Sequence, residues 1–164
     1  MSEFLLRPAV KEDAVAIIEA HDAAIREKAF SQYSQDIIDT WAPAAITPDR
    51  IEKVEKQIAS DNWLVIVAEA KKQILGYGAV SFVKNQLGAV YVRRNPYGRI
   101  GKQIMDYLLQ KARENKCAFL EMDSSVNAEA FYRSVGFKTL SLGSHSMGQT
   151  GKEMSCIKMR IDLT

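Results

Sequence analysis

The sequence predicts an α/β domain, with a mixed, mostly antiparallel sheet flanked by helices. Two observations carry this. The hydrophobic period switches from a three-to-four spacing to short β-branched runs near residue 63, then alternates between helical and strand-like stretches to the end. The elements so read come as strand, helices, three strands, helix, strand, helix and two strands, the pattern of one mixed sheet covered by helices.

Phe4, Leu5 and Leu6 read as a short opening strand, closed by Arg7 and Pro8. Ala14, Ile17, Ile18, His21 and Ile25 recur at helical spacing, with Glu12 and Asp13 in the first turn, where the helix dipole favours acids. Ser34 caps a second short helix with Ile37, Ile38 and Trp41 on one face. Thr47 and Pro48 start a third, with Ile51, Val54 and Ile58 on one side. Three runs then read as an antiparallel meander: Trp63 to Glu69, Ile74 to Val83 and Leu87 to Val92. A basic, Gly-bearing loop from Arg93 to Gly101 leads into a strong helix with Ile100, Ile104, Met105, Leu108, Leu109 and Ala112 as its apolar stripe. Ala118 to Met122 reads as a strand and Asn127 to Ser134 as a short helix stopped by Gly136. Phe137 to Leu142 and Cys156 to Leu163 read as the last strands, joined by a polar loop over Gly143 to Gly151 that includes His145.

With no repeat, low-complexity tract or linker, the 164 residues form a single domain, 1–164. Hydrophobic residues at 47% and charged residues at 26% exclude a disordered chain. A net charge of +2, from 22 basic and 20 acidic residues, gives no reason to expect a nucleic-acid partner. Cys117 and Cys156 stand far apart without a metal-ligand spacing, so no disulfide framework or metal site is expected, and a reducing compartment is. No apolar run is long enough for a membrane, and Met1, Ser2 and Glu3 carry no signal-peptide pattern. The expected location is the cytoplasm.

The most informative stretch is Val92 to Lys102. Unpaired N–H groups in a helix's first turn make a site for phosphate. Gly98 and Gly101 admit close backbone approach, and Arg93, Arg94, Arg99 and Lys102 add charge. The glycine spacing fits neither a dinucleotide fingerprint nor a P-loop. From these residues alone, a phosphate site and a plain surface turn carry equal weight.

A second segment follows the next strand. Ala128, Phe131, Tyr132, Gly136 and Phe137, with Ser125 or Asn127 shortly before, resemble in register the acyl-CoA-binding half of the GNAT N-acetyltransferase superfamily. Leu6-Arg7-Pro8-Ala9, with Glu12-Asp13-Ala14, is similar to the family's opening, so the resemblance covers nearly the whole chain, closest to a bacterial type with Tyr and Trp in the early helices, here Tyr33 and Trp41. The loop departs from the family's Gln/Arg-x-x-Gly-x-Gly/Ala. Aligned to end at Gly101, that pattern puts Arg99 at the middle glycine and Pro96 at the Gln or Arg; a shorter alignment makes Gly98 the displaced glycine.

The resemblance implies a GNAT-like acyl-CoA N-acyltransferase fold. It implies transfer of an acetyl group from acetyl-CoA to a primary amine of a small molecule or peptide, by direct attack in a ternary complex without a metal. It also leaves a homodimer open. The implied cofactor contacts are Tyr91, Val92, Arg93, Arg94, Gly98, Arg99, Ile100, Gly101, Lys102, Asn127, Phe131 and Tyr132. Among them, the Val92 N–H faces the thioester carbonyl and Tyr132 gives a proton to the leaving sulfur, the alternative for Tyr132 being packing beside Phe131. Asn127 serves either the pantetheine amides or a helix cap. Glu69 and Glu121, both near strand ends, are the candidates for the base, directly or through water; taken singly, each reads first as a solvent-exposed carboxylate. His21 reads as a packing residue. Phe30, Tyr33, Trp41 and His145 are the acceptor-pocket candidates. A different class of function, a non-catalytic acyl-CoA-binding regulatory protein, is the alternative.

Overall fold

The computed structural model describes residues 3–164; Met1 and Ser2, read above for a signal sequence, lie outside the described residues. Strand β1 (Leu5–Pro8) is followed by helices α1 (Ala14–Lys28), α2 (Gln35–Trp41) and α3 (Pro48–Ala59). Strands β2 (Leu64–Ala70), β3 (Gln73–Ser81) and β4 (Gln86–Val92) form the meander. Helix α4 (Ile100–Glu114), β5 (Phe119–Ser125), α5 (Glu129–Ser134), β6 (Lys138–Ser146) and β7 (Glu153–Asp162) complete the chain. The strands form one seven-stranded sheet in the order β1-β2-β3-β4-β5-β7-β6. All pairs are antiparallel except β4–β5, which is parallel. This is the α/β architecture read from the sequence.

Side chains alternate across β2 and so build two cores. Ile66 and Ala68 meet Ile104, Met105 and Leu108 of α4 on one face. Val65 and Val67 meet Ile17 and Ala20 of α1 on the other. Gly78 makes the α4 face close-packed: a Cβ there would stand 2.7 Å from the Ile104 side chain. The Ser34 and Thr47 hydroxyls accept from Ile37 and Arg50 N–H and so start α2 and α3, as their sequence positions predict.

The parallel pair β4–β5 decides the shape of the molecule. Its only register partners are Gln86 and Glu121, at the start of β4. Beyond that contact the strands splay apart. Two arms result, β1–β4 and β5–β7, with a wedge-shaped gap between them. The register also shifts within β4: Ala79 faces Ala89 and Val80 faces Leu87, so Gly88 is an extra, bulged residue that bends β4 as it leaves β5.

The last hairpin differs from expectation. β6 continues through His145 to Ser146 and β7 begins at Glu153, so the expected loop over Gly143 to Gly151 shrinks to residues 147–152. His145 is therefore a strand residue, opposite Met154, and not a loop residue. Gly and Ser disfavour strands in isolation, but pairing to β7, with Gly143 opposite Cys156, overrides that local preference. The helix expected over Asn127 to Ser134 starts with a 3-10 turn, Val126–Ala128, before α5. Among the described residues no helix is long and apolar enough to cross a membrane.

Candidate active site

The gap between the arms is a cleft of about 690 Å³. Its walls are β4, from Gly88 to Val92, and the stretch from Met122 to Ala128; its closed end is the start of α4.

Strand β4 turns an unpaired edge into the cleft. Arg93 N–H donates to Leu75 C=O at 2.9 Å, which fixes the alternation of hydrogen-bonded pairs between β3 and β4. In that alternation Tyr91 pairs with Tyr77, while the N–H and C=O of Val90 and Val92 point away from β3 toward the gap that β5 has vacated. The Val92 C=O is taken by Lys28 Nζ at 2.6 Å.

The loop before α4 is organised by Asn95. Its Oδ1 accepts from Tyr97 N–H at 2.9 Å and Gly98 N–H at 3.2 Å, and its Nδ2 donates to Arg93 C=O. Gly98 and Arg99 both take the left-handed conformation, with φ of +68° and +60°. Glycine adopts it freely, whereas the arginine does so at a cost of about 1 kcal/mol. The result is a turn that delivers Arg99, Ile100, Gly101 and Lys102 with N–H groups that have no hydrogen-bond partner among the described residues; the first helical bond runs from Gln103 N–H to Arg99 C=O. Those four residues all line the cleft, and Gly98 and Asn95 do too. Both residues that the two alignments offer for the middle glycine, Arg99 and Gly98, thus take a left-handed conformation. Gly101 lies under the Phe131 ring, where a Cβ would stand at 3.3 Å.

Across the cleft, Asn127 Oδ1 is buried without a hydrogen-bond partner, the only such side-chain atom among the described residues. A buried amide oxygen without a donor costs free energy, and Asn127 lines the cleft, so a donor bound there would relieve that cost. Tyr132 on α5 is buried in the core against Phe131 and Phe137, yet also lines the cleft. Burial raises its pKa, with the neighbouring Tyr91 adding to the effect and a hydrogen bond with the Val90 backbone opposing it. The phenol thus stays protonated at neutral pH. Tyr132 thus packs beside Phe131 and at the same time lines the cleft.

The open face of the cleft is aromatic. Tyr91 stacks against His21 (4.6 Å), Tyr77 (5.8 Å) and Trp41 (6.2 Å), and burial pushes its phenol up to about 12. Trp41 lines the cleft. His21 is a packing residue, as read from the sequence; it also hydrogen-bonds Asp22, which in turn holds Arg50 at 2.8 Å. Tyr33 joins the arms: its hydroxyl donates to Ser155 C=O at 2.6 Å and accepts from Val126 N–H at 2.8 Å.

Several expected site residues stand elsewhere. Glu69 lies on β2, two strands from β4, where Arg7 donates to it at 3.1 Å while also gripping Asp13 at 2.8 and 3.0 Å. Glu121 stands opposite Gln86 where the arms still touch, in a shallow depression with Lys84 and Leu140. Neither carboxylate opens on the cleft, because β2 is an inner strand of one arm and Glu121 precedes the divergence of the other. Arg93 and Arg94 do not line it either; the Arg94 N–H is held by Glu27 at 2.6 Å. Phe30 is 68% exposed and away from the lining. His145 Nδ1 lies 3.9 Å from Asp123 Oδ2.

Asp123 is the residue that sequence reasoning missed. It is the one carboxylate among the cleft-lining residues, on the same face of β5 as Glu121 but two residues further, beyond the divergence. Lys158 holds its other oxygen at 3.0 Å. Asp123 directly follows Met122, the strand's last apolar residue, and that was the available signal, but the sequence does not show where β4 and β5 part.

A family model for the acetyltransferase (GNAT) domain matches residues 29–162. The chain belongs to the GNAT acetyltransferase family. Solved structures agree in fold. A GCN5-related N-acetyltransferase from Rhodopseudomonas palustris superposes with a TM-score of 0.86 at 24% identity, covering 99% of this chain and 98% of that one. PaiA N-acetyltransferase from Thermoplasma acidophilum, in complex with coenzyme A, gives 0.76 at 16% identity over 99% of each chain. YncA, a putative acetyltransferase from Salmonella typhimurium with its cofactor acetyl-CoA, gives 0.68 at 19% identity over 99% and 95%. No curated protein matches the chain in sequence. As a GNAT-family member the protein is an acetyltransferase, on the seven-stranded mixed sheet of that fold.

Proposed function

We propose that this GNAT protein moves the acetyl group of acetyl-CoA to a primary amine by direct attack in a ternary complex. The observation that carries the reading is the run of unpaired polar groups along one cleft: four N–H groups at the α4 terminus, the Val92 N–H on the β4 edge, and the orphaned Asn127 Oδ1. A long ligand with a diphosphate at one end and amides along its arm satisfies all three. Two structural neighbours were solved with coenzyme A or acetyl-CoA, which supports the same reading.

On this reading the diphosphate sits on the N–H groups of Arg99 to Lys102, aided by the helix dipole. The pantetheine arm runs along β4 and donates an amide N–H to Asn127 Oδ1. The Val92 N–H donates to the developing oxyanion. The amine enters over Trp41 and Tyr91, gives its proton to the Asp123 carboxylate directly or through water, and attacks the carbonyl; the C–N bond forms and the C–S bond breaks. Tyr132 supplies the proton that the departing thiolate takes up. Holding both reactants together contributes most of the rate, since catalysis needs no covalent enzyme intermediate.

Isothermal calorimetry with acetyl-CoA, followed by thiol release across a panel of amines and peptides, tests this. The expected result is saturable binding and CoA release with at least one amine. Binding with no release by any acceptor would favour the regulatory acyl-CoA binder; no binding at all would overturn both. Asp123→Asn is expected to lower turnover by about 10²-fold at unchanged acetyl-CoA affinity.

A further inference from the structure

Lys28 ends α1 with its side chain reaching the cleft, and nothing in the reading above uses it. Its Nζ donates to the Val92 C=O at 2.6 Å. It forms no ion pair among the described residues, and the carboxylate beside it in sequence, Glu27, is committed to the Arg94 N–H at 2.6 Å. The lysine stem is exposed, but its amine end is crowded by the strand, and that desolvation lowers its pKa. The N–H and C=O of Val92 lie on the same edge of β4. An amine held on the carbonyl therefore stands on the same edge of β4, beside the N–H that would hold the thioester oxygen.

We propose that Lys28 is a site of self-acetylation, the chain's own amine attacking acetyl-CoA bound in the cleft. This rests on the acetyl-CoA reading of the same site. The neutral Nζ forms a C–N bond to the acetyl carbonyl carbon, the C–S bond breaks with its electron pair on sulfur, one proton leaves Nζ to Asp123 or water, and the thiolate is protonated from Tyr132. No oxidant or further reactant is needed. The product is an amide, which does not pass its acetyl group on, so the reaction stops at one acetyl per chain. It removes the positive charge of Lys28 and its ammonium contact with Val92. Acetylated chains thus carry an altered strand edge where the thioester docks, and the modification acts on the same site that makes it.

The test is intact-mass analysis and peptide mapping of the full chain after incubation with acetyl-CoA and no acceptor, with acetyl-CoA binding measured in parallel by calorimetry. One added acetyl group at Lys28, formed at least about 100-fold faster than at any other lysine, is the expected result. Lys28→Arg, with its charge kept and its fold checked by circular dichroism, is expected to lose that adduct. Acetyl-CoA binding with Lys28 unmodified, or with acetyl groups spread evenly over the exposed lysines, overturns the proposal and leaves the acetyl-CoA reading standing. Absence of binding overturns both.

Discussion

In the arm that carries β1 to β4, helices cover the sheet on both faces, and Val65 to Ala68 of β2 are buried without a break. In the arm that carries β5 to β7, the outer strand β6 is exposed along nearly its whole length, and Leu142 is 79% exposed. The thick arm supplies the elements that must not move: the β4 edge, and the α4 terminus locked to it by Ile100 and Ile104. The thin arm supplies side chains that cross the gap: Asn127, Tyr132 and Asp123. The difference teaches where the cleft's polar groups come from: the thick arm offers mainly backbone groups, at the α4 terminus and the β4 edge, and the thin arm mainly side chains.

The largest expected effect comes from the residue that bridges the arms at the chemistry. Tyr132→Phe is expected to lower turnover by about 10²–10⁴-fold while acetyl-CoA affinity stays the same. Turnover rates and calorimetry check it; unchanged turnover would mean that the thin arm gives no proton. Next comes the backbone-built site. Arg99→Glu sets a carboxylate among the free N–H groups of α4 and should weaken acetyl-CoA binding by about tenfold or more, at constant thermal stability. An equal loss of stability would show that residue 99 supports the arm and not the ligand.

The thick arm can be weakened away from either site. Arg7 grips Asp13 and Glu69, and this hydrogen bonding holds the Asp13 carboxyl below the ordinary aspartate value of 3.8 while raising the pKa of Arg7. A lowered folded-state pKa contributes stability above the unfolded value and loses it as pH falls through the folded one. Asp13→Asn is therefore expected to cost about 2 kcal/mol at neutral pH. The gap to the parent should narrow below pH 4, in thermal melts, with acetyl-CoA affinity unaffected. The smallest effect is expected from Tyr33→Phe, which unties the arms at Ser155 and Val126. About 1 kcal/mol of stability should be lost, and the Michaelis constant for the acceptor should rise while that for acetyl-CoA does not. A matching rise for acetyl-CoA would erase the division between the arms.

Much of this was legible in the residues. Ile104, Met105, Leu108 and Ala112 announced α4 and its buried face, and all are buried. Ser34 and Thr47 marked helix starts because capping is a local interaction. Tyr91, Val92, Asn127, Phe131 and Tyr132, named together from the resemblance as cofactor contacts, line one cleft. The misplacements share a cause. His145 was read into a loop, and Glu69 and Glu121 into a cleft, because strand extent and strand separation depend on partners far away in sequence.

The amino-acid sequence alone determined the order of elements, the faces they bury and the turn that opens α4, since each depends on residues within a few positions of one another. The tertiary structure alone decided where β4 and β5 part. That single long-range choice exposes the Val90 and Val92 edge, brings Asp123 into the cleft and keeps Glu121 out, and sets Lys28 on the Val92 carbonyl. Side chains two residues apart on β5 share a face, so no local pattern separates them; only the departure of the neighbouring strand does.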